Sequence, residues 1–569
     1  MFKYLAILSF LLTGSGAALA DARQDCVQLS GDAAISACDE AIRQNPGDAN
    51  AYANRGSEYQ NKGETDRAIA DFNKAIEIDP RLTRAYNNRG NSYQRKNDFD
   101  RAIADFTKAI ELNPNYALAY ANRGTAYQDK GDPDRAIADH TRAVEIDPNY
   151  ARAYANRGSA YQDKRDFDRA IADYTKAIDI NQKYAYAYNG RGAAYRDKRD
   201  FDRAIADFSK AIEIDPKYLR AYYNRGNAYQ DKNEYDRAIA DFSQVIELDP
   251  KYASAYFNRG NAYQEKRELD RAIADFSKAI ELNPKYANAF NNRGNAYADK
   301  GDLDRAIADY TSAIEIDPKN ALAYSNRGIA YRSKGEFDRA IAEHTTAIAI
   351  NPRSEIAWYN RGIAHRSKGD TEQAVSDFSK AIEINPRYAQ AYNNRGNVYA
   401  SKGDLDRAMS DFSKAIELDP RSALAYNNRG TVYRDKGDFD RSIADYNKAI
   451  EISPRYANAY NNRCWLRATA NRDLPLALAD CDVAIRLAST DASYIDNRGF
   501  VYLRLNRLDD AIAEYDAALK LTPRLATSLY GRGLSKRRKG DQSGAEADIA
   551  AAKAIRGDVA DQFTRYGVN

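Results

Sequence analysis

Three histidines, four cysteines and a large set of arginines, carboxylates and amides are the side chains of this 569-residue chain that could do chemistry. A metal centre needs histidine, cysteine or carboxylate groups converging at ligand spacing. His140, His344 and His365 stand far apart in the chain, and each occupies a place that tyrosine or phenylalanine fills in neighbouring, nearly identical text. They read as core histidines with satisfied nitrogens, and no metal is expected. No Ser-His-Asp or Cys-His arrangement stands outside that recurring text. Glycine comes as Arg-Gly and Lys-Gly pairs rather than as a phosphate-cradling cluster after a strand, so no cofactor is expected either. What recurs is different: an arginine, a carboxylate sixteen residues later and an asparagine just before the arginine, over and over.

The element that positions them is a 34-residue unit, seen clearly in Lys285–Pro318, KYANAFNNRGNAYADKGDLDRAIADYTSAIEIDP. Counting from Ala287, Phe290, Gly294 and Tyr297 share one face of a first helix. Lys300-Gly301-Asp302 ends it, glycine supplying a left-handed cap. A second helix from about Leu303 to Ile316 turns Ala306, Ile307, Tyr310, Ala313, Ile314 and Ile316 inward, and Pro318 stops it. One hairpin cannot bury both its faces, so it must stack on its neighbours. The aromatic at position four, glycine at eight, tyrosine at eleven, alanines at twenty and twenty-seven and proline at thirty-two resemble the tetratricopeptide repeat (TPR). Fifteen copies are counted. The resemblance implies an all-α fold, a right-handed superhelical α-solenoid of tandem helix-turn-helix repeats, with first helices on a concave face and second helices on a convex one.

The organisation expected is a signal peptide at 1–20, a degenerate half repeat or cap at 21–48, fifteen units at 49–557, and a capping helix with tail at 558–569. Lys3, the apolar run from Tyr4 to Leu12 and Ala18-Leu19-Ala20 read as an export signal cleaved after Ala20; the apolar run is too short to be a membrane anchor. The mature chain is therefore expected to be periplasmic or secreted, without stable membrane insertion. Its formal charge of +3 is spread in alternating signs, which argues against nucleic acid as a partner. In an exported protein an even cysteine count suggests disulfides. Cys38 and Cys481 hold the same repeat position, and Cys464 replaces the glycine that would face Cys481 across an antiparallel hairpin. Pairs Cys26–Cys38 and Cys464–Cys481 are expected; the alternative is four reduced core residues.

Position seven, commonly leucine in TPR units, is arginine in all fifteen, from Arg55 to Arg532, and position twenty-three is acidic in all fifteen. Because the arginine's neighbours are core positions it needs a partner. Arg293 and Asp309 stand for the expected bridge, within a unit or between units. Position six is asparagine in every unit but those of Gly190 and Gly531; away from the divergent ends it carries Asn88, Asn122, Asn156, Asn224, Asn258, Asn292, Asn326, Asn360, Asn394 and Asn428. An amide matches a peptide group as donor and acceptor, so these ten could hold an extended chain in the groove. This is similar to the asparagine ladder in the TPR portion of the O-linked N-acetylglucosamine transferase family, whose catalytic part has no counterpart here. The alternative is that they bond neighbouring backbone. The carboxylate clamp of other TPR proteins needs lysine at position five and arginine at six, which no unit has. The resulting expectation is a non-enzymatic scaffold that binds proteins or extended peptides along an Asn-rich groove. Two other readings stay open: assembly of a cell-envelope complex through the convex face or ends, and carbohydrate binding, which the core positions of most of the 43 tyrosines weaken.

Overall fold

A computed structural model describes residues 22–569; the expected signal peptide lies outside them. The described residues are helices joined by short turns, with no strand among them. They fall into two units, divided after Lys285. The first holds a short helix at 22–28, the helix Gly31–Gln44 and seven helical hairpins, from Ala49–Asn61 with Thr65–Ile78 to Ala253–Glu265 with Leu269–Leu282. The second begins with Ala287–Asp299 and Leu303–Ile316, holds eight hairpins, and ends in Val559–Arg565.

Each turn is written locally. The residue after the first helix takes a left-handed conformation, Gly301 at φ 82°. Where glycine is absent the same conformation is held by asparagine or arginine, as at Asn97 and Arg165, at a small steric cost. The aspartate that follows caps the second helix: the Asp302 side chain accepts from the Arg305 N–H, satisfying a donor the helix itself leaves orphaned.

The hairpin closes on small residues. Ala306 and Ala313 are fully buried, and a Cβ on Gly294 would sit 2.7 Å from the Tyr310 ring. Glycine at that place is what lets the second-helix aromatic lie flat beneath the first helix. In the most divergent unit the place belongs to Cys464, and the structure joins it to Cys481, with Cα atoms 5.6 Å apart. Near the start Cys26 and Cys38 are joined likewise, their Cα atoms 4.6 Å apart.

Two expectations need correction. The tyrosines of position eleven are mostly half-buried rather than core, and an arginine of the second helix lies over the ring: Arg305 is 4.4 Å from the Tyr297 centroid and Arg169 4.4 Å from that of Tyr161. The histidines are not satisfied core residues. His140 and His344 are fully buried with no hydrogen-bond partner on either ring nitrogen, because each fills an apolar slot shaped for phenylalanine, beneath Gly124 and Gly328. His365 is half-buried, its Nδ1 3.3 Å from Asp370 Oδ2.

Candidate functional site

The arginine of position seven meets the carboxylate of position twenty-three side-on. Arg293 Nε and Nη2 each lie 2.8 Å from an Asp309 oxygen, across the hairpin. The third nitrogen reaches back to the preceding hairpin: Arg123 Nη1 donates to Thr107 Oγ1 at 3.0 Å, and Arg395 Nη1 to Ser379 Oγ at 2.9 Å. The carboxylate bridge thus lies within the unit, and the contact to the preceding hairpin is a hydroxyl in these units and a carboxylate in a few, as with Arg55 and Asp39 or Arg532 and Asp516. The hydrogen bond to Asp309 holds Arg293 above its ordinary pKa, against the opposing effect of burial. Where glutamate replaces aspartate the fit degrades. Arg327 touches Glu343 through Nη2 alone, and Nε of Arg327 and of Arg498, which faces Glu514, is buried without a partner.

None of the ten position-six asparagines is fully exposed. Most spend amide donors on the preceding hairpin. Asn122 donates to Asn87 at 3.0 Å, Asn224 to Asn189 at 3.0 Å and Asn428 to Asn393 at 3.1 Å. Asn258 reaches the Tyr223 hydroxyl and Asn227; Asn326 reaches Asn291 and Asn295; Asn394 reaches the Tyr359 hydroxyl. Asn88, Asn156 and Asn360 donate to hydroxyls of Ser57, Thr125 and Ser325, and Asn292 accepts from Asn291. These side chains hold repeat to repeat, with the carbonyl oxygen as the half turned to other partners.

The two exceptions have a steric cause. A Cβ at Gly190 would lie 2.4 Å from the Tyr174 ring, and one at Gly531 2.3 Å from that of Tyr515. Both tyrosines push their rings under the next first helix. The Tyr515 hydroxyl is buried there without a partner, whereas those of Tyr174, Tyr310 and Tyr446 bond Gln162, Asn295 and Thr431 within their own hairpins.

Between the first helices of the first unit lies a cleft of about 490 Å³, lined by Gln60, Asn91, Gln94, Arg95, Leu118, Asn122, Thr125 and Arg152. These are positions two, six, nine, twelve and thirteen of four successive hairpins, so those positions do converge on one surface. Its donors are held in place from within: Arg152 Nη2 donates to Asn122 Oδ1 at 2.8 Å, and Gln94 Nε2 to Asp129 at 2.6 Å. The corresponding face of the second unit is more apolar, with Leu322 61% and Ile356 55% exposed. Among the described residues no cluster of three or more histidine, cysteine or acidic side chains could hold a metal, and no helix is long and apolar enough to cross a membrane.

Family models described as Tetratricopeptide repeat match residues 49–82, 83–116, 117–150, 151–184, 185–218, 253–286, 389–422 and 423–456, and others described as Tetratricopeptide repeat or TPR repeat match 208–240, 226–266, 276–308, 294–332, 330–366, 364–403 and 499–540. The chain belongs to the tetratricopeptide repeat family. No curated protein matches it. Among solved structures this TPR chain is similar to one titled "Crystal structure of APC/C hetero-tetramer Cut9-Hcn1", at 17% identity and a TM-score of 0.48, over 85% of this chain and 96% of that one.

The segment 558–569, expected as a cap on the last hairpin, does more. Val559 packs into the last hairpin's core, and Phe563 and Tyr566 then turn back over the first-helix face of the TPR array. The sequence carries the matching change: position nine, Ser57, Thr125 or Asn227 in the first unit, becomes Trp465, Phe500 and Leu534 at the end.

Proposed function

We propose that this protein is a non-enzymatic scaffold whose first-helix surfaces bind extended segments of other proteins. The observation that supports the reading is the polar cleft of the first unit. It is lined by residues of four successive hairpins, and its amides and guanidinia are groups of the kind that pair with peptide carbonyls and N–H groups. Many such contacts along an array would add up to useful affinity from weak parts. Asn88, Asn122 and Asn156, with their counterparts to Asn428, keep the surface in register through their amide groups. The second unit, with Leu322, Ile356 and Leu424 exposed on the same face, favours segments that carry apolar side chains. The N-terminal twenty residues are read as an export signal, which places the partners in the periplasm or outside the cell.

The test separates holding from binding. Gln60→Ala, Arg95→Ala and Arg152→Ala together should leave helix content unchanged while proteins captured from an exported fraction are lost. Capture of the same proteins at the same strength by the altered chain would move the working surface to the second helices.

A further inference from the structure

Over the last three hairpins the first-helix face is not open. Trp465, Phe500 and Tyr530 come from three successive first helices and form a row of rings, and the chain's own end lies in it. The Phe563 ring centroid is 4.9 Å from that of Tyr530 and 5.6 Å from that of Phe500. Tyr566 stands edge-on to Trp465 at 5.2 Å. Arg504, on the same face, lies over Phe500 and donates to the Tyr566 carbonyl oxygen. Phe563 and Val568 are buried by this docking. The segment thus runs opposite to the direction of the array, across positions that form the polar cleft in the first unit.

Two observations mark it as an occupant rather than a part of the wall. Val559–Arg565 has seven residues, too few for a helix that persists away from its surface. It is joined to the last hairpin through Gly557 and Asp558, both exposed, and a Cβ at Gly557 would meet nothing. No side chain at Gly557 resists a swing of the connection, and the segment is held by Phe563 and Tyr566, three residues apart, together with Val559 in the last hairpin's core and the Arg504 bond to the Tyr566 carbonyl oxygen. Docked aromatic anchors of this kind carry most of the affinity of helix-in-groove recognition.

We propose that Trp465, Phe500 and Tyr530 form a peptide-binding site for a short helix bearing two aromatic residues three apart, and that residues 558–569 occupy it in cis as a strap that must leave before another protein's segment can enter. The inference rests on the reading of first-helix surfaces as the binding face, and it assigns one site on that face a ligand chemistry.

The probe is a synthetic peptide with the sequence of residues 556–569, added to the full chain. Trp358→Phe leaves Trp465 as the sole tryptophan reporter. The unaltered chain should show no change of Trp465 emission with peptide. The chain carrying Phe563→Ser and Tyr566→Ser should bind the peptide saturably, one per chain, and Phe500→Ala added to it should weaken binding at least tenfold. In native-state hydrogen exchange the amides of 559–566 should exchange well ahead of those of 526–555. The proposal is overturned if the Ser variant stays folded and binds no peptide, or if 559–566 and 526–555 exchange together and the Ser substitutions unfold both. Either result is independent of Arg95 and Arg152, so failure of the strap and failure of the groove reading are told apart.

Discussion

The position-seven arginine shows how one residue type can do two jobs. A side-on pair such as Arg293–Asp309 is shielded on the apolar side of the hairpin, and its net worth over apolar packing is small while the loss from stranding one partner is large. Arg293→Ala should therefore lower stability by about 3 kcal/mol, and Arg293→Leu with Asp309→Ala should recover most of it, as read by denaturant melts. Glu343→Asp should gain about 1 kcal/mol, because the shorter side chain lets Arg327 Nε find the oxygen it lacks. An unchanged or lowered melting point would sink that account.

His344 makes the pH dependence explicit. Burial holds it at about 4, against 6.5 for the free side chain, and the nearby guanidinia of Arg332 and Arg361 push the same way. The unfolded chain thus takes up the proton first as pH falls. The stability carried by the neutral ring is whole above about pH 6.5 and is lost progressively toward pH 4, by roughly 3 kcal/mol in all. His344→Phe, which places under Gly328 the ring that other hairpins already accept, should flatten this acid limb. Melts of the two proteins at pH 7 and pH 4.5 read the difference directly, and parallel losses would count against it.

At the scale of elements, the hairpins are not equally self-sufficient. The unit 457–487 has one extra residue in its turn, and both Asn471 and Asp473 take left-handed conformations there. Its glycine is replaced by Cys464, bonded to Cys481 across 17 residues of sequence. A bridge closing a loop of that size restricts the unfolded chain by about 3 kcal/mol. Cys464→Gly with Cys481→Ala should expose amides of Ala457–Thr469 and Leu474–Leu487 to faster exchange, with little effect on Ala423–Asp435. Equal protection in both proteins would show that packing alone holds the hairpin.

For the molecule as a whole, stability is close to a sum of hairpins and their nearest-neighbour contacts. Lysines after the first helices reinforce those contacts by pairing with an aspartate of the preceding hairpin, as Lys130 does with Asp100 and Lys334 with Asp304. Removing residues 389–422, one full period, joins Tyr388 to Ala423 in register and should leave a folded chain with an unchanged mean ellipticity per residue. Removing half a period should not, because it sets two like helices against each other. Circular dichroism on both deletions decides the point.

The period, the hairpin and the turn were legible in the sequence, because each depends on residues at most some seventeen apart, and so was the need of every position-seven arginine for a carboxylate, though not which unit supplies it. The fate of the asparagines was not. An amide at position six looks free in its own unit, and only the stacking of the next hairpin brings Asn189 within reach of Asn224. Gly190 and Gly531 looked like gaps until the rings of Tyr174 and Tyr515 were seen to fill the space. The strap lay furthest from view, since Tyr566 and Trp465 are a hundred residues apart and no repeat pattern connects them. Local patterning sets a helix and its turn through contacts along the chain; which donors are spent, which slots are filled and which surface is covered depend on contacts between elements, and those exist only once the chain has folded.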